Sequence, residues 1–298
     1  MSLASAAGTW NLEPLQLAPT LAASFLYLRR TRTLARRGTP VPGWRQAIFW
    51  MGIALVVIAL NSPVDAIAEN DLFVIHMVQH VVLGDLAPLC FVAGLTGPVL
   101  RPLLAFRFVY RLRILTHPLV ALPIWVVNLA VWHIPYLFEA ALNHSAVYAL
   151  EHTMFFAAGC LMWAPVVETL PAPEWFGTGA KIGYVVVVRM VMTIFGNVFI
   201  WSSAVFYPWY VHARPAWGIS ALQDQNFAGV VMMGEGSAIT LAALAWLFLR
   251  MASEGELRQQ LIEQEVDPEV AKRAVRYGRG RSLEIDPGGG GGRATLNP

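Results

Sequence analysis

The chain has 298 residues, 56% of them apolar and only 13% charged, with a mean hydropathy of +0.53. Soluble globular domains are about a quarter charged, so the composition argues against an ordinary cytosolic enzyme and for a polytopic membrane protein. The net charge of +2 matters less than its placement, because of 21 basic residues only Lys181 and Lys272 are lysines and the arginines gather in a few blocks.

Taken in order, apolar stretches at about Leu12–Leu28, Val41–Leu60, Leu72–Leu95, His117–Trp132, Ala146–Val167, Ile182–Trp201 and Phe227–Leu249 predict an all-α bundle of about seven membrane helices. Unbroken runs of this kind exclude a transmembrane barrel, whose strands alternate in polarity. The first stretch is diluted by Glu13, Pro14, Gln16 and Pro19 and reads as a retained span, with no signal-peptide pattern. Arg29, Arg30, Arg32, Arg36, Arg37 and Arg45 mark the first connection as cytoplasmic, and Arg101, Arg107, Arg111 and Arg113 mark the third. The second carries Asp65, Glu69 and Asp71, the fourth carries Glu139, and the sixth has only Arg214 as a basic residue; these face outward together with the N-terminus. Trp132, Tyr136, Trp201, Tyr207, Trp209, Tyr210 and Trp217 read as interfacial anchors at the outer span ends. The expected division is a membrane domain over 1–250, a cytoplasmic tail over 251–286 and a disordered end over 287–298. In the tail, Leu257, Leu261, Val266, Val270 and Ala274 form one helical face and Asp267-Pro268-Glu269 reads as a helix start. Cys90 and Cys160 lie far from any CxxC or CxC arrangement, which argues against a disulfide or thiolate site.

Six of the seven histidines fall in the outer half: His76, His80, His133, His144, His152 and His212. His76 and His80 are four apart and share a helix face. At 1.5 Å per residue they lie ~6 and ~12 Å below the outer surface, with His152 at ~9 Å and His133 at the mouth of its span. Imidazoles from three helices can therefore meet in one layer and suit copper, zinc, iron or nickel. The competing reading has each histidine capping a helix end or bonding a neighbouring carbonyl. A zinc-protease helix needs a glutamate beside the first histidine, whereas the run here is His76-Met77-Val78-Gln79-His80. A b-type haem needs axial ligands on opposite sides of the iron, which one helix face does not supply.

Asp85, Arg189 and Glu235 fall at roughly 20, 18 and 13 Å by the same rise. They predict a buried ion pair or triad, either a structural lock or a cation path leading inward. Met190, Met192, Met232 and Met233 read as packing filler, with soft ligation as the alternative.

The runs Ser62-Pro63-Val64-Asp65, His76 to His80, Trp132-His133-Ile134-Pro135, Glu151-His152, Trp163-Ala164-Pro165 and Tyr207-Pro208-Trp209-Tyr210, with Asp224-Gln225, resemble the multi-span CtaG family of cytochrome c oxidase assembly factors over about Val41 to Arg250. The resemblance implies a non-enzymatic protein of the bacterial inner membrane that helps mature a haem-copper oxidase and handles copper. Its matching positions are His76, His80, His133, Glu151, His152 and Asp224; Gly234-Glu235-Gly236 departs from the pattern, so Glu235 is not carried over. With spacing and resemblance combined, His76, His80, His133 and His152 are the expected copper ligands. Asp65, Glu69, Glu151 and Asp224 are the expected outer carboxylates that orient the imidazoles or line the way in. The expected partners are an oxidase subunit and the lipid bilayer, with no nucleic acid and the oligomeric state left open. A membrane haem- or quinone-linked oxidoreductase is the alternative function, and a scaffold whose histidines only stabilise the bundle is a third.

Overall fold

The computed structural model describes Trp10, residues 14–211 and residues 218–276. All regular elements among them are helical. They are α1 (Pro14–Arg36), α2 (Gly43–Asn61), α3 (Pro63–Asn70), α4 (Phe73–Gly94), α5 (Gly97–Leu104) and α6 (Arg107–Leu112). These are followed by α7 (Pro118–Trp132), α8 (Pro135–Asn143), α9 (Ser145–Val167), α10 (Thr178–Trp201), α11 (Ala221–Glu263) and α12 (Pro268–Arg276). Prolines at the first helical positions set several of these starts, where a missing N–H costs nothing. Ser62 caps α3 by accepting from the Val64 amide at 3.2 Å, and Asp267 caps α12 by accepting from the Glu269 amide at 2.9 Å.

All seven predicted apolar segments contain a helix, but they differ as spans. Among the described residues, α2, α4, α9, α10 and α11 are long and apolar enough to cross a membrane. A sixth span exists only if Arg107–Thr116 is joined to α7 across a 78° bend. Alone, the 15 residues of α7 reach ~22 Å, short of a hydrocarbon core of about 30 Å. Helix α1 continues past the predicted Leu28 and takes Arg29, Arg30, Arg32 and Arg36 into its last turns, since arginine is a good helix former. Leu12, Arg214, Trp217, His212 and the predicted disordered end Pro287–Pro298 lie outside the described residues.

The chain divides into two compact units, Met1–Pro173 with Val187–Ile239 and Glu174–Val186 with Thr240–Pro298. The division falls inside α11, whose 43 residues run through the predicted boundary at Arg250 into the charged tail. Within the second unit Leu261, Val266 and Ala271 form a small buried cluster, with Leu257 and Val270 against it. Thr178 donates to Glu254 at 2.7 Å, and the Arg276 guanidinium donates to the Glu174 carbonyl.

The first unit contains every expected site residue. Tyr27 of α1 stacks on Phe49 of α2 with centroids 3.6 Å apart and donates to the Gly94 carbonyl at the end of α4. Helices α4 and α9 cross where Gly84 meets Gly159; a Cβ on Gly159 would collide with the Gly84 carbonyl and with Pro88, so only glycine permits the approach. The same stretch of α4 is a widened turn, Val82–Leu86, in which the Ala87 amide bonds back to the Val82 carbonyl. Such turns rotate the residues that follow them relative to a regular α-helix and occur often at functional sites.

Candidate metal centre

The site grows from two helices. His76 and His80 lie in the first two turns of α4, and the start of that helix is held by Asp224, whose carboxylate oxygens accept from the Phe73 and Val74 amides at 2.8 and 2.9 Å. Free N–H groups at a helix start attract a carboxylate, and here it comes from α11, 150 residues away in sequence. Between the two histidines, Gln79 points to the opposite wall and donates to the Ala59 carbonyl at 2.8 Å and to Asp65 at 2.6 Å. Tyr148 of α9 donates to the same Asp65 oxygen at 2.8 Å. One buried carboxylate on α3 thus fixes the rotation of both α4 and α9, and Glu151 and His152 follow Tyr148 by one turn.

His76, His80, Glu151 and His152 converge: each offers one ligand atom, and these atoms lie within 4.8 Å of one another. All four are buried, with exposures of 0%, 4%, 0% and 2%. The Nε2 atoms of His76 and His80 are 2.9 Å apart, and His80 Nε2 is 3.5 Å from Glu151 Oε1. Glu151 Oε2 lies 4.0 Å from His76 Nε2 and 4.0 Å from His152 Nδ1. Two nitrogens bound at ~2.0–2.1 Å around a tetrahedral cation would be ~3.3 Å apart, so the spacing suits a single small ion.

Neighbours set the tautomers. Tyr210 Oη donates to the Ala68 carbonyl at 2.7 Å and therefore accepts from His76 Nδ1 at 3.2 Å, leaving His76 Nε2 with its lone pair toward the cluster. Burial, with the Glu151 and Asp224 carboxylates nearby, pushes the Tyr210 phenol well above its ordinary range, so it stays a donor. His152 Nδ1 donates to the Tyr148 carbonyl at 2.8 Å and His133 Nδ1 to the Leu129 carbonyl at 2.7 Å, and both leave a bare Nε2. Both Glu151 oxygens, His152 Nε2, His133 Nε2 and His80 Nδ1 are buried without a hydrogen-bond partner. Buried polar atoms are rarely left so, and several orphaned acceptors in one place fit a cation. The residues present therefore suit a metal with nitrogen and oxygen ligands.

The expected residues separate into groups. Glu151, expected as an outer carboxylate, stands among the ligand atoms. His133 caps the end of α7, its ring 5.9 Å from that of His80, and is not one of the four converging residues. Asp65 acts on the histidines through Gln79 and Tyr148. Asp224 holds the start of α4. Glu69 accepts the Trp209 indole at its backbone carbonyl, 2.9 Å away. His144 is exposed at the start of α9.

Two expectations need correction. Trp132, Tyr207 and Tyr210 are not interfacial anchors, being 4%, 2% and 2% exposed. The segment after α10 folds back over the cluster, where Tyr207 donates to the His133 carbonyl and packs on Phe138 at 4.2 Å. Composition assigns such rings to headgroups, whereas tertiary contacts bury them; Tyr136 and Trp201 do remain about 80% exposed, at 81% and 80%. The predicted ion triad is also not made by contact. Asp85 accepts the Trp163 indole N–H at 2.6 Å. Arg189 Nη1 and both Glu235 oxygens have no hydrogen-bond partner, although Glu235 is within electrostatic range of Asp85 and Arg189. Depth counting places residues along a helix but not around it, and the widened turn at Val82–Leu86 changes the rotation of Asp85.

Tyr148, Tyr210 and Gln79 are absent from the expected site. Tyr148 was legible in principle, lying one turn before His152, but the contribution of Tyr210 depends on a chain reversal that no local pattern announces.

The family model described as cytochrome c oxidase caa3 assembly factor matches residues 25–254 of this chain. Neither the curated proteins nor the solved structures contain a match.

Proposed function

This chain belongs to the cytochrome c oxidase caa3 assembly factor family, and from that premise we propose that it binds copper at His76, His80, His152 and Glu151 and delivers it to an oxidase subunit during assembly. The carrying observation is the convergence of four buried ligand groups whose atoms lie within 4.8 Å, with both Glu151 oxygens unpartnered. Copper is cargo in this reading, and the protein performs no bond-making chemistry of its own. Three imidazoles and a carboxylate bind copper well and also release it, whereas a thiolate site would hold Cu(I) more tightly. The haem alternative has no comparable support. The imidazoles pack against Phe138 and Phe155 rings at 4.7 and 4.2 Å, and the cavity beside His80 holds only about 20 Å³.

In this reading the cluster lies near the outer face of a bacterial inner membrane, with the N-terminus outside and the charged C-terminal tail in the cytoplasm; the arginine asymmetry supports that sidedness, and a seven-span count further requires α1 and the bent α7 segment to cross. Exposed apolar side chains on the long helices, among them Ile194, Leu241 and Leu249, support lipid contact.

The test is copper analysis of the purified full chain in detergent. Glu151→Gln and His76→Gln should each lose most of the bound copper and fail to mature the oxidase at normal membrane levels of the protein. Undiminished copper in both variants would exclude this site.

A further inference from the structure

Directly beside the histidine and carboxylate cluster lies a small cavity of about 20 Å³. A single water or bare ion needs roughly 10–15 Å³. His80 is shared between the cluster and the cavity, and the rest of the lining includes His133, Met192, Met232, Asp85 and Phe155. His133 is 9% exposed; its Nδ1 donates to the Leu129 carbonyl, which leaves Nε2 a bare acceptor, and that Nε2 has no hydrogen-bond partner. The two thioethers are 6% and 2% exposed. They are brought together by the crossing of α10 and α11, where a Cβ on Gly196 would approach the Gly229 carbonyl to 3.0 Å and one on Gly229 would approach the Ile200 side chain to 2.8 Å. Met192 stands one turn before Gly196, and Met232 nearly one turn after Gly229. The ring of His133 packs on Phe195 and Phe199 of the same α10 at 5.5 and 5.8 Å.

The neighbouring methionines Met190 and Met233 are placed differently. Met190 is 60% exposed, and Met233 lies against Gly196 with its sulfur 3.6 Å from Asn197 Nδ2. A bare imidazole nitrogen with two thioethers, all on buried side chains and next to one carboxylate, is a donor set for a soft monovalent cation and a poor one for zinc or magnesium.

We propose that the cavity bounded by His133, Met192 and Met232 is a second, soft metal site, taking Cu(I) that passes from the first cluster by way of His80. This rests on the copper reading of the His76/His80/Glu151/His152 cluster, which contains no sulfur.

The absence of sulfur from the first cluster supplies the test. The full chain in detergent is saturated with Cu(I), and X-ray absorption at the copper edge reads the scattering shells. The expected result is a mixed population, one copper with nitrogen and oxygen neighbours and a second equivalent with sulfur neighbours. The double change Met192→Leu with Met232→Leu, which conserves volume, should remove the second equivalent and the sulfur shell together. Met190→Leu should change neither. Copper with nitrogen and oxygen neighbours alone in the unaltered protein would overturn the second site and leave the first standing. A sulfur shell that survives the double change would overturn it as well. A sulfur shell in the unaltered protein, with no nitrogen and oxygen copper lost on His76→Gln with His80→Gln, would count against the first cluster instead.

Discussion

Helix α4 carries two sets of ionisable side chains into apolar surroundings, the His76/His80 pair in its first two turns and Asp85 in its widened turn, and the neighbouring helices treat the two sets differently. Around the pair, several elements contribute orienting bonds. Asp224 holds the helix start, Asp65 grips Gln79 and Tyr148, and Tyr210 takes the far nitrogen of His76. The result is a set of imidazoles and a carboxylate with ligand atoms within 4.8 Å. Around Asp85 a single indole from Trp163 supplies the bond, while Arg189 Nη1 and both Glu235 oxygens make no hydrogen bond although Glu235 is within electrostatic range of Asp85 and Arg189. A metal cluster needs its surrounding bonds to lock rotamers before the ion arrives, whereas an isolated buried carboxylate needs only one good donor.

The largest expected effect comes from breaking the geometry of the pair without changing composition. The double change His80→Val with Val81→His turns the second imidazole ~100° around α4. Bound copper and oxidase maturation should both be lost while the protein remains in the membrane; retained copper would mean that the second imidazole is not a ligand. A smaller effect is expected from the supporting bonds. Tyr148→Phe removes one donor to Asp65 and leaves all four ligand groups in place, so copper affinity measured by competition with a chelator should fall by about 10–100-fold. Unchanged affinity would show that Asp65 does not act on the cluster through α9.

Asp224 provides the next test. Asp224→Ala leaves the first amides of α4 without their acceptor and should destabilise the protein by about 0.5–2 kcal/mol, the usual range for lost helix caps. Thermal unfolding in detergent reads that loss, and copper per folded molecule should stay near its original value. A selective loss of copper with unchanged stability would instead place Asp224 on the metal side of the comparison. The smallest effect concerns the second set. Trp163→Phe and Asp85→Asn should be non-additive by about 0.5–3 kcal/mol because they share one bond, whereas Asp85→Asn and Arg189→Leu should add to within roughly 0.5 kcal/mol. Strong coupling in the latter pair would restore the ion pair expected from depth alone.

How much of this was readable without coordinates follows from what each residue depends on. The apolar runs determine by themselves that the chain is helical and membrane-embedded, because twenty consecutive apolar residues have few other stable environments. The four-residue step from His76 to His80 likewise determines a shared face, since helix geometry is local. His152 and Glu151 are adjacent in sequence, but nothing in their spacing says that both reach the cluster. Only packing decided that: the Gly84–Gly159 crossing sets how α9 lies on α4, and the bond from Tyr148 to Asp65 sets its rotation. The burial of Tyr207 and Tyr210, the capping of α4 by Asp224 and the separation of Asp85 from Arg189 also required the tertiary structure. Each depends on the rotation or return path of a distant segment. A sequence period constrains position along a helix, and only contact between helices fixes the angle around it.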